Sequence, residues 1–367
     1  MQKNFWSELN KPIMGLSPMD GVTDAAFRFI TAKYGKPAVT ITEFTSAEGL
    51  AAGAIKLLDD FIYSDIERPV VAQVFGSDPR AFFKAGALAA ALGFDGLDIN
   101  MGCPVRNVAE HGGGAALIRT PHLAQDLIRS AKAGIKVWAD GARLEEVGVH
   151  QAIIDRLKSS DFDTRISDIS TERREIPVSV KTRIGYDVVV IEDWVRYLLE
   201  TEPAAISIHG RTLKQLYSGF ADWDAIAKAA AIIRNAGTLV LGNGDVKDLA
   251  DAQKKIAEYG VDGVLMGRAS FGNPWIFRNT TPSVEEKLCV AVEHAHVFEE
   301  LLPKKNFLHM RKHLGWYASG FDGAKELRSL LMQPSVKNAV EVERMIGRRL
   351  HSVSGKPLSR FVPAFAS

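Results

Sequence analysis

Two cysteines occur in this 367-residue chain, and Cys103 stands where packing alone does not explain it. It closes the stretch Gly96-Leu97-Asp98-Ile99-Asn100-Met101-Gly102-Cys103-Pro104, a short apolar run ending in a turn of Gly and Pro with a thiol at its tip. A cysteine is most often a small buried hydrophobe, yet a thiol at the C-terminal end of a strand is well placed to meet a ligand. Other polar side chains recur at comparable positions. Lys181 ends an apolar run, so its ammonium either aims into a cavity or pairs with an acid. His209 ends another and can donate to a ring or to a phosphate. Gln73 lies late in a third, with a carboxamide that both donates and accepts. A cation at such a place suits an electron-rich isoalloxazine ring, whose reduced form is anionic near N1. The alternative for each of the three is a structural polar group satisfied within the fold.

A second group reads as an anion site. Gly242-Asn243-Gly244-Asp245 and Gly267-Arg268 each follow a short apolar run. Small residues let backbone N–H groups approach a phosphate, and a helix N-terminus adds a favourable dipole. Arg268 adds a charge-assisted contact. Ser17-Pro18-Met19-Asp20-Gly21 follows a further run near the start of the chain.

The elements that must position these residues form a repeating pattern. Short runs rich in Val and Ile at 13–16, 39–42, 70–75, 96–100, 178–181, 205–209, 238–242 and 263–266 read as eight strands. Helical patterns at 79–92, 120–133, 191–199, 223–235 and 246–259 fall between them. Pro79 and Pro121 suit first-turn positions, with Asp78 and Thr120 as caps. Eight such units point to an α/β fold, a (β/α)8 TIM barrel. A doubly wound sheet is the runner-up, but it would carry a glycine-rich turn after its first strand, which is missing here. The polar residues above all fall at strand C-termini or just beyond. In a barrel they share the catalytic face, and the loops after strands seven and eight are its usual phosphate site.

Residues 134–175, with a Ser- and Asp-rich run and a helical stretch at 144–157, read as a surface insertion away from that face. After Asn273-Pro274-Trp275 the strand rhythm stops. Helical patterns at 283–303, 307–319, 324–331 and 335–346 give a C-terminal all-helical domain. The division is a barrel at 1–278, a helical domain at 279–352 and a loose tail at 353–367. Cys289 falls in a helix and reads as packed. Residues 303–360 hold 12 Lys and Arg against 4 Asp and Glu, a net of +8, leaving −7 for the rest of a chain whose net charge is +1. A basic end on a mildly acidic body suggests a polyanionic partner. No apolar stretch is long enough for a membrane span. The first residues lack an apolar signal core, and two thiols suggest a reducing compartment. These features together predict a cytoplasmic protein.

With these residues placed, the chain resembles the tRNA-dihydrouridine synthase family. The resemblance rests on Ser17-Pro18-Met19-Asp20-Gly21-Val22-Thr23-Asp24, on Asn100-Met101-Gly102-Cys103-Pro104-Val105 followed by Gly112-Gly113-Gly114-Ala115-Ala116-Leu117, and on Val180-Lys181-Thr182-Arg183-Ile184-Gly185. It continues through His209-Gly210-Arg211-Thr212-Leu213-Lys214-Gln215-Leu216-Tyr217-Ser218-Gly219, Gly242-Asn243-Gly244-Asp245, Met266-Gly267-Arg268-Ala269 and Arg311-Lys312-His313-Leu314-Gly315-Trp316-Tyr317. Only the insertion and the tail lie outside it. One departure is Asn107, where the family commonly carries a Lys.

The resemblance implies an FMN-bound barrel and a helical domain that grips tRNA, with NADPH or NADH as the electron donor. The reaction it implies is reduction of the C5–C6 bond of a uridine, with hydride from reduced flavin to C6 and a proton from Cys103 to C5. A thiol is mostly protonated at neutral pH and so can act as a general acid. The flavin site would comprise Pro18, Met19, Gln73, Lys181, His209, Asn243, Gly244, Asp245, Gly267 and Arg268. Asn100 would hold the uracil edge, and Arg183 uracil carbonyls or a phosphate. Arg211, Lys304, Lys305, Arg311 and Lys312, joined by Arg344, Arg348 and Arg349, would face the RNA. The target base must leave its stack to meet the flavin. A monomer suffices for this. One rival reading is a flavin reductase of a small pyrimidine or enone that never meets RNA, against which the basic helical end counts. The other is an RNA-binding protein without catalysis, against which Cys103, Lys181 and His209 count.

Overall fold

The structure is a computed structural model that describes residues 4–105, 108, 110–159, 172–278 and 280–354. Eight parallel strands form one sheet: β1 Ile13–Leu16, β2 Thr40–Ser46, β3 Val70–Phe75, β4 Gly96–Met101, β5 Val178–Gly185, β6 Ala205–Thr212, β7 Leu239–Asn243 and β8 Gly263–Met266. Their order is β1-β8-β7-β6-β5-β4-β3-β2. The remaining gap closes where Leu16 N–H donates to Val39 O at 3.0 Å and Ala38 N–H donates to Met14 O at 2.8 Å. The result is the expected (β/α)8 barrel.

Strand side chains alternate between two environments, as a period of two requires. Ile13, Ile41, Val71, Ala205, Leu241 and Leu265 cluster with Trp6 inside the ring. Ala72, Val74, Leu97, Ile99, Val178, Val180, Ile206, Ile208, Val240 and Val264 pack outward into a second core with the helices. Burial on both faces explains why these strands read as near-continuous apolar runs.

The surrounding helices are α1 Ala25–Tyr34, α2 Pro79–Ala91, α3 Pro121–Ala139, α4 Gln151–Lys158, α5 Ile191–Leu199, α6 Trp223–Ile233 and α7 Leu249–Tyr259. Asp24, Asp78, Asp222 and Asp248 cap α1, α2, α6 and α7 by accepting from Phe27, Arg80, Ala225 and Asp251 N–H. Thr120 makes no side-chain cap bond, so Pro121 at the first turn marks the start of α3 instead. That helix runs six residues past the expected end at 133 and takes in the start of the expected insertion. Its contact with α2 is unusually close. A Cβ on Gly134 would stand 1.8 Å from Phe83 O, and one on Gly86 would stand 2.4 Å from Ala131 O. The expected helix at 144–157 is broken in two by Gly148, whose φ of +82° ends a one-turn helix, Leu144–Val147, before α4. The 160–171 part of the insertion, Asn107 and the tail from 355 lie outside the described residues.

Beyond the barrel run α8 Val284–Leu301, α9 Met310–Tyr317, α10 Ala324–Leu331 and α11 Ala339–Ser354, the last extending well past the expected end at 346. Cys289 is buried on α8, as expected. These helices share one continuous apolar core with the outer layer of the barrel. Glu293 on α8 anchors them to α1 by accepting from Lys33 Nζ at 2.6 Å and Tyr34 Oη at 2.5 Å. Among the described residues no helix is long and apolar enough to cross a membrane.

Candidate active site

The thiol of Cys103 is buried in the turn after β4, and a chain of buried hydrogen bonds fixes that turn. Asn100 Oδ1 accepts from both Cys103 N–H at 2.8 Å and Gly102 N–H at 3.0 Å. Asn100 Nδ2 donates to Gln73 Oε1 at 3.0 Å, and Gln73 Nε2 donates to Asp98 Oδ2 at 2.7 Å. Ser179 Oγ donates to the other oxygen of Asp98 at 2.6 Å. From the opposite side, Arg183 Nε donates to Gly102 O at 2.7 Å and its Nη1 to Thr212 O at 3.1 Å. Asn100, Gln73 and Arg183 therefore do converge on Cys103. Most of their polar atoms serve the turn itself, which leaves fewer for a ligand than the sequence suggests.

Burial pushes the Cys103 thiol above its ordinary range. Asp20 adds to this, against the backbone bond from Val105 and the charges of Arg183 and Lys181. The thiol therefore stays protonated at neutral pH and holds a proton at Sγ. Asp98 is pushed up to about 6 by burial, opposed by its bonds from Ser179 and Gln73 and by the charge of Lys181.

Lys181 and His209 stand at the mouth on β5 and β6. Burial, with Arg183 beside it, lowers Lys181 to about 8. Its ammonium donates no hydrogen bond to the described residues, so it is open to a ligand. Burial and the surrounding cations Lys181, Arg183, Arg211 and Arg268 push His209 down to about 2. Its imidazole is neutral in any physiological buffer; Nε2 accepts from Arg211 Nη1 at 3.4 Å, which leaves the Nδ1 proton as its donor.

The loops after β1, β7 and β8 meet next to His209. Among the described residues, the amides of Gly244, Asp245, Gly267 and Arg268 donate to no acceptor. A Cβ on Gly244 would lie 3.0 Å from His209 Cδ2, and one on Gly267 would lie 3.1 Å from Met19 Sδ. Larger side chains would fill this cradle. Asn243 Nδ2 donates to Leu265 O at 2.8 Å and ties β7 to β8. Pro18 and Met19 lie in the β1 loop, where Met19 N–H donates to Thr23 Oγ1 at 2.9 Å. Free amides in a small-residue cradle can hold a phosphate, and the unpaired lysine nearby can face an electron-rich ring.

Two residues are placed otherwise than expected. Asp245 lies between two guanidinium groups, accepting from Arg211 Nη2 at 2.7 Å and Arg268 Nη2 at 2.6 Å. A carboxylate repels phosphate, so Asp245 organises its loop while its backbone amide stays free. Arg211 is buried in that pair and faces no solvent for RNA.

The basic residues of the C-terminal helices divide into two sets. Lys304, Arg344 and Arg348 are exposed. Lys305 Nζ sits 3.7 Å from Glu43 Oε2, over a buried acidic pocket. Burial, with Asp24 nearby, pushes Glu43 up to about 7. Burial raises Asp24 as well, against the charges of Lys305, Arg28 and Lys312, which also faces this pocket. Arg311 Nη2 donates to Val336 O at 3.4 Å, and Arg349 Nη2 to Asp322 O at 2.6 Å.

Asp98, Ser179, Glu43 and Asp24 escaped the sequence reading. A signal was available for the first two. Asp98 precedes Asn100 by two positions and Ser179 precedes Lys181 by two, so each shares the inward face of its strand with a residue already singled out. The Glu43 pocket joins three distant segments and left no such trace.

The chain matches the family model described as "Dihydrouridine synthase (Dus)" over residues 15–138 and 164–348. The gap between these blocks lies within the stretch read as an insertion. A protein of Staphylococcus epidermidis named "Probable tRNA-dihydrouridine synthase" is 33% identical over 90% of this chain and 92% of its own. "Probable tRNA-dihydrouridine synthase 2" of Bacillus subtilis is 34% identical over 94% of this chain and 96% of its own. Among solved structures, an old yellow enzyme homologue from Zymomonas mobilis matches 71% of this chain and 86% of that one at 14% identity, with a TM-score of 0.40, a likeness that carries no argument.

Proposed function

The chain belongs to the dihydrouridine synthase family, a family of oxidoreductases, and from that premise we propose that it reduces the C5–C6 bond of a uridine in tRNA. The electron source is NADPH or NADH, and the cofactor is flavin mononucleotide, which when bound supplies the hydride that uridine C6 receives. The residues of the chain supply the rest. Hydride at C6 builds negative charge across C5 and the C4 carbonyl, and C5 then takes a proton. Cys103 Sγ holds that proton, and its raised pKa keeps it there at neutral pH. Asn100 and Arg183 fix the turn that aims the thiol. Lys181 presents its ammonium to the electron-rich ring, and the free amides after β7 and β8 take the phosphate. A helical unit at 279–352 carries Lys304, Arg344 and Arg348 toward the RNA backbone. One chain provides all of these parts, so a monomer acts alone.

The observation that carries this reading is the convergence of a protonated thiol, an unpaired lysine ammonium and unoccupied loop amides on one barrel mouth. Its test is spectroscopic. The purified protein should bind flavin mononucleotide, lose the yellow absorbance on anaerobic addition of NADPH or NADH, and regain it on addition of unmodified tRNA. Reoxidation by a free pyrimidine or an enone, with none by tRNA, would instead assign a small-substrate reductase.

A further inference from the structure

The loops after β5 and β6 stand together above the mouth, joined by Leu213 N–H to Gly185 O at 3.0 Å and Lys214 N–H to Tyr186 O at 3.1 Å. At the far end of the β6 loop Phe220 is 88% exposed. Isolated exposed apolar residues are common and need no explanation. The support beneath this one is different. On one side Arg211 Nη2 donates to Gly219 O at 2.7 Å, and on the other Ala221 N–H donates to Asp245 Oδ2 at 2.7 Å. Arg211 and Asp245 are themselves paired at 2.7 Å. The backbone on both flanks of Phe220 is thus clamped to one ion pair, which fixes the segment from which a solvent-facing ring projects.

That segment is at the rim of the site. The methyl of Ala221 borders Gly244, which borders His209 in turn. Exposed cations stand in the same group of loops: Arg268 at 59% and Lys214 at 68% side-chain exposure. Each shares its carboxylate partner with a second cation, Arg211 at Asp245 and Arg119 at Asp187, so each of these two clusters carries net positive charge, while the carboxylate of Asp222 serves as the cap of the helix that follows. An exposed aromatic ring carried on a fixed backbone among cations is the arrangement that binds unpaired nucleotides, the base stacking on the ring while the cations follow the backbone.

We propose that Phe220 is a stacking platform for an unpaired RNA base beside the nucleotide that enters the active site. This rests on the tRNA reading above and adds to it a contact that is tolerant of sequence and independent of salt.

The test is equilibrium binding of unmodified tRNA to wild type, Phe220→Ala and Phe220→Trp over a salt series, with dihydrouridine mapped in parallel. Phe220→Ala should weaken binding about tenfold, the size of a single base stack. The slope of affinity against salt should not change, because no phosphate contact is removed, and Phe220→Trp should restore affinity. Wild-type affinity in Phe220→Ala would overturn the platform. So would a loss confined to NADPH oxidation in the absence of RNA, which would give the ring to the reductant. Stacking losses in binding without dihydrouridine at any position would leave the platform standing and sink the uridine-reduction reading. Dihydrouridine made equally by wild type and Phe220→Ala at limiting tRNA would do the reverse.

Discussion

Replacing Asn100 with alanine removes the acceptor for two backbone amides and the donor for Gln73 Oε1. A buried polar group left without its partner costs about 1–3 kcal/mol. Three such groups give about 3 kcal/mol at the low end. The low end applies because Gly102 is half-buried and water can enter the space left. Part of this cost shows as lower stability, and the rest shows as a turn that no longer holds the thiol in one place. A misplacement of about 1 Å at a reacting group costs about 100-fold in rate. Lys181, His209 and the β7 and β8 loops are untouched, so flavin should still bind. The assay is single-turnover reduction of unmodified tRNA by prereduced enzyme, beside a flavin titration. Asn100→Ala should lose about 100-fold in the first and little in the second. Asn100→Asp keeps both accepted bonds but turns an oxygen toward Gln73 Oε1, so it should fall between. Wild-type turnover by Asn100→Ala would refute the positioning argument, and loss of flavin binding in step with turnover would show a general collapse instead.

Burial raises the Cys103 thiol while Lys181 is lowered to about 8, so dihydrouridine formation by wild type should fall first near pH 8 as the ammonium is lost, and in Lys181→Arg should stay level to beyond the ordinary thiol range near 8.5. A fall centred near pH 7 would remove Cys103 as the acid. Glu43 is raised from 4.5 to about 7. Its ionised form therefore opposes folding, and stability should drop as pH rises from about 4.5 through 7. Glu43→Gln should cancel that share, about 3 kcal/mol at most, so that denaturant midpoints of variant and wild type converge at pH 4.5 and the variant gains at pH 8. Parallel curves would contradict this. Gly134→Ala places a methyl against Phe83 O at the α2–α3 crossing and should cost about 1–3 kcal/mol or more, read as a lower unfolding midpoint with flavin binding retained below it.

The barrel was legible because both faces of each strand are apolar and each strand ends in a polar or glycine-rich turn. Strands 13–16, 70–75 and 263–266 fall where the pattern put them. β5 and β6 run on to Gly185 and Thr212 because their loops pair with each other above the barrel, a tertiary contact with no local signature. Which residues approach the mouth was also legible, since strand phase decides it. What each polar atom does there was not. Arg183, Arg211 and Lys305 read alike in sequence, as cations open to substrate. Their partners, Gly102 O, Asp245 and Glu43, come from other segments of the chain, and only folding brings them within reach.

The measurement that bears most directly on this reading is the mapping of dihydrouridine, position by position, in unmodified tRNA treated with flavin mononucleotide, NADPH and either wild type or Cys103→Ala. Wild type should yield the product at a defined uridine, and Cys103→Ala should bind flavin and oxidise NADPH yet lose most of the product. Equal product from both proteins would take the proton from Cys103. No product from a wild-type protein that still oxidises NADPH would remove tRNA as the substrate.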